Sequence, residues 1–235
     1  MRRFWRSLKN TAAGTEAEKA GHYARLRRRM VREQLAAGKV SDPRVLAAMD
    51  AIPRHRFVAE KLRRFAYEDG PLPIGEGQTI SQPYIVALMT QLLALEGGEK
   101  VLEVGTGTGY QAAILSQLAR EVHTIERHAS LVEKARKILA ELEITNVTFH
   151  GGDGSMGLPQ EAPFDGIIVT AAGPKAPRAL LEQLADGAYL VLPVGDADGQ
   201  RLQRWQRRGD AFDHEDIVPV SFVPLVGEQG WKMKE

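Results

Sequence analysis

A short apolar run, Lys100-Val-Leu-Glu-Val104, empties directly into Gly105-Thr-Gly-Thr-Gly109, and no other feature of the 235-residue chain constrains the fold as tightly. A strand that ends in glycines and opens a helix lets backbone approach a ligand closely and aims helix N–H groups at it. The flanking sequence repeats the alternation. A helix from Ser81 to about Leu95 breaks at Gly97-Gly98; after the glycine turn come a helix over 110–119, a strand over 122–126, a helix over 128–142 and a strand over 147–150. Asp153-Gly154, a strand over 164–169, a helix over 176–185 and a strand over 188–192 follow. Regular βα alternation predicts an α/β fold with a doubly wound, mostly parallel sheet. Residues 200–206 and 217–223 read as two further strands joined by a charged, Gly-containing connection, which predicts an antiparallel C-terminal edge.

The front of the chain is different. Residues 1–15 have no sustained periodicity, so 1–25 are expected to be a tail and helix start, with a helix over 16–37 stopping near Gly38. Ser41-Asp-Pro43 opens another helix that Ile52-Pro53 closes, and 54–80 is a turn-rich connector. The expected organisation is one domain over 26–235: a helical, substrate-side segment (26–80), a cofactor-binding core (81–195) and C-terminal strands (196–235). With 43% hydrophobic residues, this length can bury one sizeable core. No apolar run approaches the roughly 18 residues needed to span a bilayer, and no apolar stretch follows the basic N-terminus; no membrane association and a cytoplasmic location are expected. The absence of cysteine excludes disulfides, thiolate nucleophiles and Cys-based metal sites. Residues 1–66 hold 17 of the 31 Lys+Arg but 6 of the 30 Asp+Glu, which a helix with a solvated arginine face explains.

The glycine turn departs from the dinucleotide pattern G-x-G-x-x-G, because its last glycine comes one residue early and Tyr110 takes the expected place. Glu126 ends the next strand, where a carboxylate can accept hydrogen bonds from ribose hydroxyls. Asp153, followed by Gly154, sets another acidic group at the same carboxyl edge. Carboxylates around one crevice disfavour phosphate and favour a ligand with hydroxyls, an amine and positive charge. S-adenosylmethionine has all of these.

ExGxGxG, the second-strand Glu and the Asp-Gly pair resemble class I S-adenosylmethionine-dependent methyltransferases. Met30-Val-Arg-Glu-Gln-Leu35, Ile52-Pro-Arg-His-Arg-Phe-Val58, Ala66-Tyr-Glu-Asp69, Pro71-Leu-Pro-Ile-Gly75, Gly77-Gln-Thr-Ile-Ser-Gln-Pro83, Ala162-Pro-Phe-Asp165, Leu192-Pro-Val-Gly195 and Phe222-Val-Pro-Leu225 resemble the protein-L-isoaspartate (D-aspartate) O-methyltransferases. The resemblance runs from about residue 26 to 227. It implies methyl transfer from S-adenosyl-L-methionine, leaving S-adenosyl-L-homocysteine, to the free carboxylate of L-isoaspartyl residues in damaged proteins, with D-aspartyl residues as a second class of acceptor. The ester then collapses to a succinimide and partly reopens as aspartate, which is repair. It further implies Ser81 as the active-site serine, Ile80 and Ser81 on the cofactor pocket, Glu103, Gly105, Gly107 and Gly109 on the methionine side, Glu126 at the ribose, and Asp153 with Gly154 at the adenine.

An acceptor carboxylate with a pKa near ~3.5 is already ionised at pH 7 and needs no general base. Positioning and exclusion of water carry such a transfer. Consistent with this, 170–173 reads Thr-Ala-Ala-Gly, without the N/D-P-P-Y type sequence of amino-methylating enzymes, and no compact metal-ligand spacing is present, so no metal is expected. Read without the resemblance, Ser81 ahead of Gln82-Pro83-Tyr84 is equally a helix N-cap, and His55 receives no chemical role. Trp5, Trp205 and Trp231 are scattered, which argues against a nucleic-acid platform. An RNA methyltransferase and a non-catalytic nucleotide-binding module stand as the alternatives. Isoaspartyl proteins and peptides are the expected partners and a monomer the expected state.

Overall fold

A computed structural model describes residues 16–232; the expected tail at 1–15 lies outside them. Helix α1 (Glu16–Met30) continues into a π-helical turn (Val31–Leu35), and α2 (Pro43–Ala51) starts on Asp42, whose carboxylate accepts the Arg44 N–H. The ring of Tyr23 on α1 stacks on His55 at 4.0 Å, and the Gln34 amide donates to the Tyr67 carbonyl (3.0 Å). These contacts fasten the N-terminal helices to the connector. The connector is more ordered than its turn residues suggest. Two 3₁₀ turns (Arg54–Phe57 and Glu60–Phe65) precede a hairpin of β1 (Leu72–Gly75) and β2 (Gln78–Ile80).

The main sheet comprises β3 (Lys100–Val104), β4 (Glu121–Glu126), β5 (Val147–Gly151), β6 (Phe164–Val169), β7 (Leu184–Asp196), β8 (Gly199–Arg208) and β9 (Ala211–Val220). Their order is β5-β4-β3-β6-β7-β8-β9, parallel from β5 to β7 and antiparallel from β7 to β9. The expected doubly wound sheet with an antiparallel edge is therefore present. Helix α3 (Pro83–Leu92) precedes β3, and α4 (Tyr110–Leu115), α5 (Ala129–Glu141) and α6 (Arg178–Glu182) connect parallel strands of the sheet. Period-two alternation sorts the strands onto two cores. Val101, Val122, Ile168 and Val191 pack against Leu88 and Met89 of α3 and Leu93 just after it, while Leu102, Val104, Ile167, Val169 and Leu190 pack against Leu180 and Leu181 of α6.

Several boundaries differ from expectation. Helices α4 and α6 are short, and β7 begins at Leu184, ahead of the expected strand at 188, because residues 185–188 are taken up as a bulge in β7 between Leu184, opposite Phe164, and Tyr189, opposite Gly166. The charged connection expected between 206 and 217 is mostly strand, with the turn at Gly209 (φ +60°). Arg201–Asp216 (3.1 Å), Arg204–Glu215 (3.6 Å) and Arg208–Asp213 (3.4 Å) pair across β8 and β9, so charge alternates where hydrophobicity usually marks a strand.

Gly109 precedes α4 in a left-handed conformation (φ +88°), and a Cβ there would meet Leu139 Cδ1 of α5 at 2.8 Å. Both backbone strain and overpacking follow from adding a side chain. Gly109→Ala is expected to cost about 2 to 4 kcal/mol; urea denaturation measures it, and a loss within experimental error would contradict the packing.

Candidate active site

β3 and β6 are neighbours whose chains leave the sheet in different directions, so a crevice opens beyond their carboxyl ends, as is usual where strand order reverses. Gly105 (φ +97°) turns the chain out of β3, and the Thr170 hydroxyl at the end of β6 donates to its carbonyl at 2.8 Å. A Cβ on Gly105 would lie 2.3 Å from that hydroxyl oxygen, so only glycine fits.

Two contiguous cavities occupy the crevice. The outer one, about 700 Å³ and open to solvent, is lined by Gly105, Gly107, Glu126, Gly152 and Gly154, with Ile125 and Leu225 among its apolar walls. The inner one, about 410 Å³ and likewise open to solvent, is lined by Ile80, Ser81, Glu103, Gly105, Gly107 and Gln111, among others. Ile74, Thr79, Gly105, Gly107 and Thr170 border both. Hairpin β1–β2 thus roofs the junction, and Ile74 Cδ1 lies 3.1 Å from where a Cβ on Gly107 would stand.

The structure brings together Ile80, Ser81, Glu103, Gly105, Gly107, Glu126 and Gly154 from the residues singled out in the sequence. Gly109 borders neither cavity; its place is the α4–α5 contact. Asp153 lines a hollow with Trp231 and Lys232 that continues the outer cavity and shares Arg127, Gly152 and Val226 with it. Its Oδ1 accepts the Ser155 N–H (2.9 Å) and hydroxyl (2.7 Å), and its Oδ2 the Glu228 N–H (2.7 Å). Partial burial works to raise the Asp153 carboxyl, but these donors more than offset it and hold the group below the usual carboxylate range. Through them Asp153 clasps the C-terminal segment that brings 223–226 back to the outer cavity. Ser81 does not cap α3: the N-cap position belongs to Gln82, and no side chain bonds the helix end. Thr170, Ala171, Val223 and Val226 were not among the site residues expected from the sequence; only the return of the C-terminal segment places the last two here.

The two central carboxylates differ in state. Glu126 Oε2 accepts the Gly107 N–H (3.0 Å) and Oε1 the His128 N–H (3.0 Å). A carboxylate offers about four acceptor directions, so capacity for hydroxyl donors is left over. Glu103 is fully buried, with Oε2 accepting the Thr124 hydroxyl (2.5 Å) and Oε1 making no hydrogen bond. Burial, reinforced by the charge of Glu126 and opposed by the Thr124 hydroxyl, pushes the Glu103 carboxyl up to about 8. An amine or other cation reaching Oε1 would relieve that cost. Among the described residues no group of three His, Asp or Glu side chains is arranged to hold a metal ion, and no helix is long and apolar enough to cross a membrane.

A doubly wound sheet with a strand-to-glycine turn and a second-strand carboxylate on the crevice defines a class I S-adenosylmethionine-dependent methyltransferase fold. A sequence profile of the protein-L-isoaspartate (D-aspartate) O-methyltransferases matches residues 25–230. The protein-L-isoaspartate O-methyltransferase of Trichlorobacter lovleyi is 52% identical over 208 residues, covering 88% of this chain and 96% of its own. A solved protein-L-isoaspartate O-methyltransferase superposes with a TM-score of 0.78 at 29% identity, over 86% of this chain and 67% of that one. A Plasmodium falciparum β-aspartate methyltransferase, solved in complex with S-adenosyl-L-homocysteine, shares the fold with a TM-score of 0.75 at 23% identity, over 85% of this chain and 98% of that one. The chain belongs to the protein-L-isoaspartate O-methyltransferase family.

A raised carboxyl also leaves a mark on stability. Glu103 stays protonated in the fold up to about pH 8, whereas the unfolded chain ionises it near its ordinary value of 4.5. The unfolded state therefore binds fewer protons between those values, and this contribution to stability is complete below the lower value and lost as pH rises towards the upper. Glu103→Gln removes the titration. Relative to the unaltered protein it is expected to gain stability between pH 5 and pH 8, on the order of 1 kcal/mol per pH unit, in denaturant titrations; parallel pH profiles of the two proteins would refute the buried, protonated state.

Proposed function

We propose that the two cavities together hold S-adenosylmethionine and the carboxylate that receives its methyl group, so that the protein methylates isoaspartyl residues of damaged proteins and starts their repair. The observation that carries this reading is the pair of carboxylates on one crevice in unlike states. Glu103 keeps an unpartnered, buried Oε1 beside the inner cavity, and Glu126 is held by backbone N–H groups with acceptor capacity to spare. That donor set suits a ligand bearing an ammonium and ribose hydroxyls, and it repels phosphate.

When bound, S-adenosylmethionine supplies an electrophilic methyl group on a positively charged sulfur. Glu103 Oε1 would accept from the ammonium of the methionine moiety, and Glu126 from the ribose hydroxyls. Ile125, Val104 and Leu225 form apolar walls of the outer cavity suited to a planar ring. The acceptor carboxylate arrives ionised, so this chain need not remove a proton from it. Ser81 borders the inner cavity, where its hydroxyl orients the attacking oxygen, and the roof made by Ile74 and Thr79 excludes water. Loss of water matters because opposite charges merge along the path of an oxyanion to a sulfonium.

The decisive assay is transfer of labelled methyl from S-adenosylmethionine to a peptide containing L-isoaspartate, beside the same sequence with L-aspartate, scored as base-labile ester. Label on the isoaspartyl peptide alone is the expected result; cofactor binding with label on neither peptide would remove the acceptor assignment. Ser81→Ala is expected to lower turnover more than tenfold with little change in melting temperature, and unchanged turnover would deprive Ser81 of its role. Affinity for S-adenosylmethionine is expected to rise from pH 6 towards about 7.5 as Glu103 becomes easier to ionise, and to fall again above about pH 8 as the amine of the ligand loses its proton; Glu103→Gln abolishes the rise in calorimetric titrations.

A further inference from the structure

Arg54 is fully buried, lines neither of the two cavities, and forms no ion pair with a carboxylate among the described residues. Burying a charge without a counterion is costly unless hydrogen bonds compensate it. Here they come in part from main-chain carbonyls: Nε donates to Ala66 (2.8 Å), and Nη2 to Ser81 (2.7 Å) and, at the limit of a hydrogen bond, to Gly70 (3.5 Å), while Nη1 is buried without a hydrogen-bond partner. The guanidinium carbon sits 4.9 Å from the ring centroid of Tyr110, the first residue of α4. Burial draws the group down to about 10, so it stays cationic at neutral pH.

The positions of those carbonyls matter. Ala66 and Gly70 precede hairpin β1–β2, and Ser81 follows it directly. One guanidinium therefore cinches the base of the hairpin that roofs both cavities. At the far end Glu76, in the turn, accepts the Ser130 hydroxyl at the start of α5 (2.7 Å). An apolar side chain would fill the Arg54 volume at lower desolvation cost, but it could not bind carbonyls that converge from separate parts of the loop; the fork of guanidinium donors can. The bond to Ser81 is the shortest of the set, and it fixes the peptide unit from which the Ser81 side chain departs.

We propose that Arg54 is a positioning residue for methyl transfer: by holding the Ser81 carbonyl and the base of the roofing hairpin, it sets the Ser81 hydroxyl at the inner cavity against the acceptor. The inference rests on the role proposed above for Ser81. Arg54 itself touches neither acceptor nor cofactor and acts through the loop.

A double-mutant cycle on the full chain tests it. Arg54→Lys keeps the charge but not the fork, and Arg54→Met keeps most of the volume but neither. Turnover on an L-isoaspartyl peptide is measured for each, alone and combined with Ser81→Ala, beside melting temperature and the affinity for S-adenosylhomocysteine. Each Arg54 variant alone is expected to lose at least tenfold in turnover while cofactor-product affinity falls no more than about threefold. In the Ser81→Ala background the same changes are expected to cost less than twofold, because the group they position is gone. Equal losses in both backgrounds, or turnover and affinity falling together, would reduce Arg54 to a general structural residue and overturn the proposal while leaving Ser81 its role. Full turnover in Ser81→Ala would overturn both readings. If neither Arg54 variant folds, replacing the Ser81–Gln82 amide by an ester weakens that one carbonyl acceptor and leaves every side chain in place. A loss of about threefold or more is then expected, and turnover equal to the native chain overturns the proposal.

Discussion

The pinch between Gly105 and Thr170 is the contact on which the rest of the molecule depends. Two adjacent parallel strands, β3 and β6, end side by side, and the Thr170 hydroxyl closes on the Gly105 carbonyl where the chains part. Because Gly105 has no side chain, the backbone can turn at a positive φ and pass within van der Waals reach of its neighbour. The next residues are thereby delivered under the hairpin, and Gly107 presents its N–H to Glu126 on the adjacent strand. The crevice, its glycine floor and the carboxylate at its wall thus share one geometric origin.

Around that origin the protein arranges acidic groups in three different conditions. Glu126 is held by backbone donors, Asp153 is spent on clasping the C-terminal segment, and Glu103 is buried so deeply that it stays protonated at neutral pH. Glu126 and Glu103 line the two main cavities, and Asp153 the hollow that continues the outer one. A neutral Glu103 costs the empty protein less than a buried anion, and a cationic ligand reverses the balance. The chemistry asked of the site is modest in proton terms, since an ionised carboxylate is its own nucleophile. What the fold must supply is alignment and dryness, and the hairpin roof, the aliphatic walls and the Arg54 cinch all serve that end.

Much of this architecture is legible in the residues. The glycine turn after an apolar strand, the alternation of strands and helices and the acidic strand ends pointed to a doubly wound sheet with its ligand at the carboxyl edge. Legibility failed where local signals and long-range pairing disagree. Residues 184 and 185 read as the end of a helix but belong to β7, which bulges between Leu184 and Tyr189, and the charged stretch after Gln206 reads as a connection although cross-strand ion pairs make it sheet. Hairpin β1–β2 was hidden for a similar reason: its glycines mark turns, and its strands are too short to show a period.

The same division applies to the site. Residue type and order determined by themselves which groups could meet a cofactor, because Glu103, Gly105, Gly107 and Glu126 lie on strand ends that any parallel sheet brings to one edge. Only the tertiary structure decided that Asp153 turns its carboxylate to the C-terminal backbone, that Gly109 serves helix packing, and that Ser81 leaves the cap of α3 to Gln82. It alone also joins Arg54 to Ser81 across 27 positions of chain. The physical reason is that hydrogen-bond partners and electrostatic burial are set by which segments converge, and convergence over such distances leaves no mark in local sequence.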